Sequence, residues 1–157
     1  ANACIVVGGA YAEEIEVLSG GYPGVRTVHN PDSATGMGSS IACGVRALLA
    51  AVAPLDGILI MLADQPLVQS RQVEALLQAW ETAEVDFVAA SYEGQAGVPA
   101  LFSQSLFSAL LGLQGQSGAK ALFKKPGLQG VLLPMAEAAC DLDTPEEWER
   151  FQQEHGV

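Results

Sequence analysis

The sequence predicts an α/β layer fold built on a mixed, mostly parallel sheet. Short apolar, β-branched runs alternate with amphipathic stretches along all 157 residues, the pattern of strands separated by helices. The run Gly57–Leu62 (Gly-Ile-Leu-Ile-Met-Leu) is apolar at every side chain, as in a central parallel strand covered on both faces. The segment Glu93-Gly94-Gln95-Ala96-Gly97 separates two strand-like runs, which adds one antiparallel strand and makes the sheet mixed.

The elements follow in order. Ala3–Val7 is apolar and β-branched, a buried strand ended by Gly8-Gly9. Ala12–Leu18 places glutamates around Ile15 and Leu18, a short helix. Val25–Val28 is a second strand, closed by Asn30-Pro31-Asp32. Ser39–Val52 carries Ile41, Val45, Leu48, Leu49 and Val52 on one helical face. After the strand at 57–62, Asp64-Gln65-Pro66 stops the run, and Pro66 holds Gln65 extended. Arg71–Trp80 repeats Val73, Leu76, Leu77 and Trp80 at helical spacing. Phe87–Ser91 and Val98–Phe102 read as strands. Leu106–Leu113 and Ala119–Lys125 read as helices, Val131–Leu133 as a strand and Thr144–Gln153 as a helix. The expected order is βαβαβαββααβα in a single domain over residues 1–157, with Trp80 and Trp148 in the core.

Charge excludes several function classes. Seven Lys+Arg face 18 Asp+Glu, a net charge of −11. Nucleic-acid binding requires clustered cations, and only Lys120, Lys124 and Lys125 cluster. An anionic substrate therefore needs a metal ion or backbone N–H groups to offset the negative field. Half the residues are hydrophobic, which argues against disorder. No stretch approaches the roughly 18 consecutive apolar residues of a membrane span. Cys4, Cys43 and Cys140 are odd in number and far apart, with no Cys-x-x-Cys, so buried free thiols in a reducing cytoplasm are expected rather than disulfides or zinc.

Four segments could carry chemistry. Asp64 stands at the carboxyl end of the apolar strand, where open α/β sheets bind ligands. A carboxylate there can hold Mg²⁺, which takes one or two carboxylates plus substrate phosphates. The alternative is a carboxylate that only shapes the turn. Gly36-Met37-Gly38-Ser39-Ser40 precedes a helix, whose N–H groups suit a phosphate or a base edge. Alternatively Ser39 or Ser40 is an N-cap and the glycines shape a loop. The segment lacks the Lys of a Walker A loop and does not match GxGxxG. Asp141-Leu142-Asp143-Thr144-Pro145-Glu146-Glu147 contains a capping box, Thr144 with Glu147, and Pro145 at the first helical position. Its alternate carboxylates could also face a metal. A haloacid-dehalogenase DxDx[TV] signature fails at Pro145. Gly97-Val98-Pro99 is either a substrate loop or only a hairpin. His29 and His155 have no partner at ligand spacing.

Together these segments resemble, in order and spacing, the MobA-like nucleotidyltransferases, particularly the molybdenum-cofactor cytidylyltransferase branch. The pieces are Asn30-Pro31-Asp32 with Gly36–Ser40, Leu62-Ala63-Asp64-Gln65-Pro66-Leu67-Val68, Gly97–Phe102 with Ser117-Gly118-Ala119-Lys120-Ala121-Leu122, and Asp141–Glu147. The resemblance implies a Rossmann-like three-layer α/β/α fold of the nucleotide-diphospho-sugar transferase type. It implies Mg²⁺-assisted transfer of a nucleotidyl group from an NTP, CTP in that branch, to a phosphorylated acceptor such as molybdopterin, releasing pyrophosphate. Asp64 would be the catalytic metal ligand and Asp143 a second one. Gly38, Ser39 and Ser40 would lie near the nucleotide, and Gly97, Val98 and Pro99 near the acceptor. A molybdoenzyme or its chaperone would be a partner, with no nucleic acid and no membrane involved.

One departure from the family pattern stands out. The family opens with a Gly-rich loop of the form L-A-A-G-x-S-x-R-M-G, followed by a Lys, that holds the triphosphate. Here the strand at Cys4–Val7 matches the family's second strand, so the first strand, that loop and the first helix are expected to be missing. The expectation is an N-terminally truncated domain that does not turn over NTP by itself. Two other readings compete: a non-catalytic cofactor-binding or maturation-partner module, and a nucleotidyltransferase with a sugar-phosphate acceptor.

Overall fold

The computed structural model describes residues 3–52 and 54–156. Among them six strands and six α-helices follow in the expected order: β1 (Cys4–Gly8), α1 (Ala12–Ser19), β2 (Val25–His29), α2 (Met37–Ala51), β3 (Gly57–Ile60), α3 (Ser70–Thr82), β4 (Phe87–Tyr92), β5 (Gln95–Ser103), α4 (Phe107–Leu111), α5 (Lys120–Phe123), β6 (Gly130–Pro134) and α6 (Pro145–His155). Short 3₁₀ turns add Ser33–Thr35, Gln104–Leu106 and Ala136–Ala139. β1 and β2 form a two-stranded parallel sheet with Cys4 opposite Val25 and Gly8 opposite His29. The other four strands form a sheet in the order β3-β5-β4-β6, with β4 and β6 parallel from Phe87–Gly130 to Ser91–Pro134.

The chain divides into two compact units, Ala1–Ile58 with Phe102–Gln129, and Leu59–Leu101 with Gly130–Val157. The core of the second gathers Leu76 of α3, Val88 and Ala90 of β4, Leu101 of β5, and Met135 and Ala138. In the first unit Val45 of α2, Leu110 of α4 and Leu122 of α5 are buried. The rings of Phe102 and Phe123 stack there at 5.6 Å.

Boundaries shift where turn chemistry overrides hydrophobic periodicity. Glu93 (φ 53°) and Gly94 (φ 74°) both adopt left-handed backbone, a two-residue hairpin that matches the twist of the flanking strands. The turn is therefore tighter than 93–97, and Gln95–Gly97 join β5. α2 begins at Met37, two residues early, because Gly36 takes φ 127° and ψ 177° in the N-cap position. Neither Ser39 nor Ser40 is the cap. A Cβ on Gly36 would overlap the Gly115 carbonyl, and one on Gly38 would stand 2.8 Å from the Gln114 backbone. The Gly38 N–H donates to the Gly115 carbonyl at 2.9 Å. These glycines thus let the chain at 114–115 pack on the start of α2.

α6 starts as its capping box dictates: Thr144 Oγ1 accepts the Glu147 N–H at 3.2 Å, and the Glu147 carboxylate accepts the Thr144 N–H at 2.9 Å. Two core assignments fail. Trp148 is 46% exposed, because α6 buries only Phe151 and Trp148 stacks along it at 6.0 Å. Cys4 is an exposed free thiol, and Cys43 and Cys140 are half-buried. No helix among the described residues is long and apolar enough to cross a membrane.

Two substitutions check this account by urea denaturation. Thr144→Ala should cost about 0.5–2 kcal/mol through loss of the cap. Gly36→Ala should cost at least about 1–3 kcal/mol in backbone strain alone, with the clash against Gly115 in addition.

Candidate functional site

In the first unit, the polar cluster starts where β2 ends. Asn30 follows the strand and is only 3% exposed. Its Nδ2 donates to Ser39 Oγ at 2.9 Å and to Ser40 Oγ at 3.0 Å, while its Oδ1 accepts the Asp32 N–H at 3.1 Å. The Ser39 hydroxyl faces the carbonyls of Asp32 and Gly36, each at 2.9 Å. Ser39 is thus committed to holding the 30–36 turn against α2. No acceptor for the Ser40 proton is found among the described residues, so Ser40 and the first turn of α2 are the groups left to meet an anion. Gly38, expected beside the nucleotide, is buried with its N–H already paired. An open cavity of about 400 Å³ in the same unit is lined by Glu13, Glu14, Glu16, Thr27 and His29 among others. None of the residues singled out from the sequence lines it.

In the second unit, Asp64 follows β3 in a segment without regular structure. Its carbonyl accepts the Leu142 N–H at 3.0 Å, which ties it to the Asp141–Asp143 segment. Its Oδ1 is buried and has no hydrogen-bond partner. Burial pushes the Asp64 carboxyl above the ordinary carboxylate range, its own backbone amide pulls it back, and the charges of Asp143 and Asp141 raise it further. A buried carboxylate oxygen without a donor, beside two other carboxylates, is costly and invites a cation.

Asp143 and Asp141 thus act electrostatically on Asp64. Asp143 is exposed, and its N–H donates to the Glu147 carboxylate at 2.9 Å. No group of three or more His, Cys, Asp or Glu among the described residues is arranged to hold a metal. The donor set fits an ion that takes one or two carboxylates and completes its shell with water and substrate phosphate, the habit of Mg²⁺.

Gly97, Val98 and Pro99 are all buried. The Tyr92 phenol occupies the space where a Cβ on Gly97 would stand, so glycine is needed to accept that ring. The Val98 carbonyl is taken by Gln65. Burial raises the Tyr92 phenol's pKa, the Gln65 side chain opposes this by hydrogen bonding, and Asp141, Glu93 and Asp64 raise it again. Asn30, Gln65 and Tyr92 were not singled out from the sequence, whereas Asp141 was one of the two alternate carboxylates weighed as facing a metal. Asn30 and Gln65 each stand beyond a strand, and a polar residue there is the available signal. Tyr92 had none.

A family model described as "MobA-like NTP transferase domain" matches residues 1–131, so Asp141 and Asp143 lie beyond it. The purine catabolism protein PucB of Bacillus subtilis (strain 168) is 36% identical over 125 residues, 78% of this chain and 58% of that protein. A 3-phospho-D-glycerate guanylyltransferase of Phenylobacterium zucineum (strain HLK1) is 28% identical over 124 residues, 79% of this chain and 56% of that one. The chain thus spans less than two thirds of the length of the curated relatives it matches. A crystal structure of Rv0371C in complex with manganese, from Mycobacterium tuberculosis H37Rv, superposes with a TM-score of 0.71 at 23% identity, covering 97% of this chain and 78% of that one. The chain has the mixed α/β fold of the Rv0371C structure, and it belongs to the MobA-like NTP transferase domain family.

Proposed function

We propose that this chain is part of a Mg²⁺-dependent nucleotidyltransferase that moves a nucleotidyl group, CMP from CTP, onto a phosphorylated acceptor of the molybdopterin class. The observation that carries the reading is the buried, unpartnered Oδ1 of Asp64 beside Asp141 and Asp143. Family membership supports the nucleotidyl chemistry. The motif resemblance supports the base and the acceptor.

In the reaction, an oxygen of the acceptor phosphate attacks the α-phosphorus of the NTP and pyrophosphate leaves. A bound divalent cation supplies charge neutralisation at the α-phosphate and at the leaving pyrophosphate. Asp64 provides its carboxylate to that cation, with Asp143 as the second candidate and Asp141 adding negative field. Ser40 and the free N–H groups at the start of α2 meet the nucleotide, Asn30 and Ser39 hold that turn, and Gly38 packs beneath it. Tyr92, seated over the buried Gly97, lies near the acceptor, while Gly97, Val98 and Pro99 support it from the core. The manganese complex of Rv0371C supports a divalent ion in this fold. The relative named for 3-phospho-D-glycerate favours a second reading, in which the acceptor is a small phosphorylated acid and the nucleotide is GTP.

Cytoplasmic localisation goes with the reading.

Asp64→Asn separates function from stability. In the complete protein it should lower metal-dependent transfer by about 100-fold or more. A raised pKa means that the folded state holds the proton more tightly than the unfolded chain does. The Asp64 contribution to stability is therefore full below the ordinary value of 3.8 and is lost as pH rises through the raised value. Metal-free Asp64→Asn should melt higher than the wild type at neutral pH, and the difference should vanish in acid. Thermal melts in EDTA across that range measure it. Equal melting at neutral pH would contradict the electrostatic account.

A further inference from the structure

We propose that Gln65 is the positioning residue that sets the Asp64 carboxylate, through a buried side-chain amide that bridges β5 and the 3₁₀ turn after β6. The inference rests on the reading of Asp64 as a metal ligand and extends it to the residue that holds that ligand in place.

β3 ends at Ile60, and residues 61–68 have no ladder hydrogen bonds to fix them. A ligand on such a segment needs another anchor. The Asp64 carbonyl has one long-range backbone bond, from Leu142 N–H. The other anchor is the neighbouring side chain. Gln65 is 6% exposed, and its Nε2 donates to the Ala138 carbonyl at 2.7 Å and to the Val98 carbonyl at 3.3 Å. A primary amide has two N–H donors, and both are used on carbonyls 33 and 73 residues away in sequence. Pro66 limits the backbone of Gln65 on its other side. With Gln65 held at these points, the adjoining Asp64 has little freedom to turn.

The bridge also joins Val98, next to the buried Gly97, to the segment that carries the carboxylate. Removing the amide takes a donor from each of two buried carbonyls, and the loop can relax to recover them. Outer-shell partners of metal ligands are worth about 10–100-fold in metal affinity when removed. The same size is expected here.

The test is Mn²⁺ binding to the complete protein, followed by electron paramagnetic resonance of the free ion, without nucleotide. Four proteins are compared: wild type, Asp64→Asn, Gln65→Met and Leu76→Ala. Leu76→Ala destabilises the same core and touches none of the Gln65 bonds. The expected result is loss of the Asp64-dependent binding in Asp64→Asn, about tenfold weaker binding in Gln65→Met, and unchanged binding in Leu76→Ala. Should Gln65→Met fail to fold, Gln65→Asn keeps the polar group but is one methylene too short to span both carbonyls, and it should weaken binding in the same direction. Wild-type affinity in the Gln65 variant, with binding lost in Asp64→Asn, overturns the positioning role and leaves the ligand assignment standing. Wild-type affinity in Asp64→Asn overturns the ligand assignment and the inference with it. Equal weakening in Leu76→Ala assigns the effect to general destabilisation and also overturns the inference.

Discussion

Strands buried on both faces can present chemistry only at their ends. β4 carries Val88, Ala89 and Ala90 at 0% exposure, and β5 carries Ala100 and Phe102 at 0%. No polar side chain can sit along these runs without a partner, because an unpaired polar group in such a place costs on the order of 1–3 kcal/mol. The polar groups of the second unit therefore collect in the connections: Asp64 and Gln65 after β3, Tyr92 at the end of β4, and Asp141 and Asp143 before α6. Buried strands leave polar side chains little other place, which is the general reason that α/β sheets bind ligands beyond their strand ends.

Small residues in the first unit do a different job from the one their spacing suggests. A Gly-x-Gly ahead of a helix reads as a place where a ligand approaches the backbone. In this chain the approaching group is the backbone at Gln114 and Gly115. The packing holds the start of α2 from one side, and Asn30 holds it from the other through Ser39 and Ser40. The helix N-terminus is organised by the protein before any ligand arrives, so an anion meeting it need not bear the cost of ordering it.

The acidity of the chain gives the electrostatics a consistent sense. With 18 acidic and 7 basic residues, the protein repels the phosphate groups that its family acts on. Asp141 and Asp143 add to it at Asp64, whose carboxyl they push further above its ordinary range.

Much of the architecture was legible in the sequence. Hydrophobic periodicity placed all twelve main elements in order, because the burial of one face or two leaves a trace every 3.6 or 2 residues. Thr144, Pro145 and Glu147 announced the start of α6, because capping is local. Asp64 stood out because it closes an apolar run, although the strand itself stops at Ile60. The roles of Gln65, Tyr92 and Asn30 were not legible, since each depends on groups that only folding brings together: Val98 and Ala138 for Gln65, Gly97 for Tyr92, and the serines of α2 for Asn30. Trp148 misled for the same reason, as aromatic character does not say which helix face is covered. The sequence by itself determined the elements, their order and the apolar run that Asp64 follows. The tertiary structure alone decided which carbonyls hold the Gln65 amide and what fills the space above the packed glycines, because those contacts join residues whose separation along the chain leaves no periodic signal.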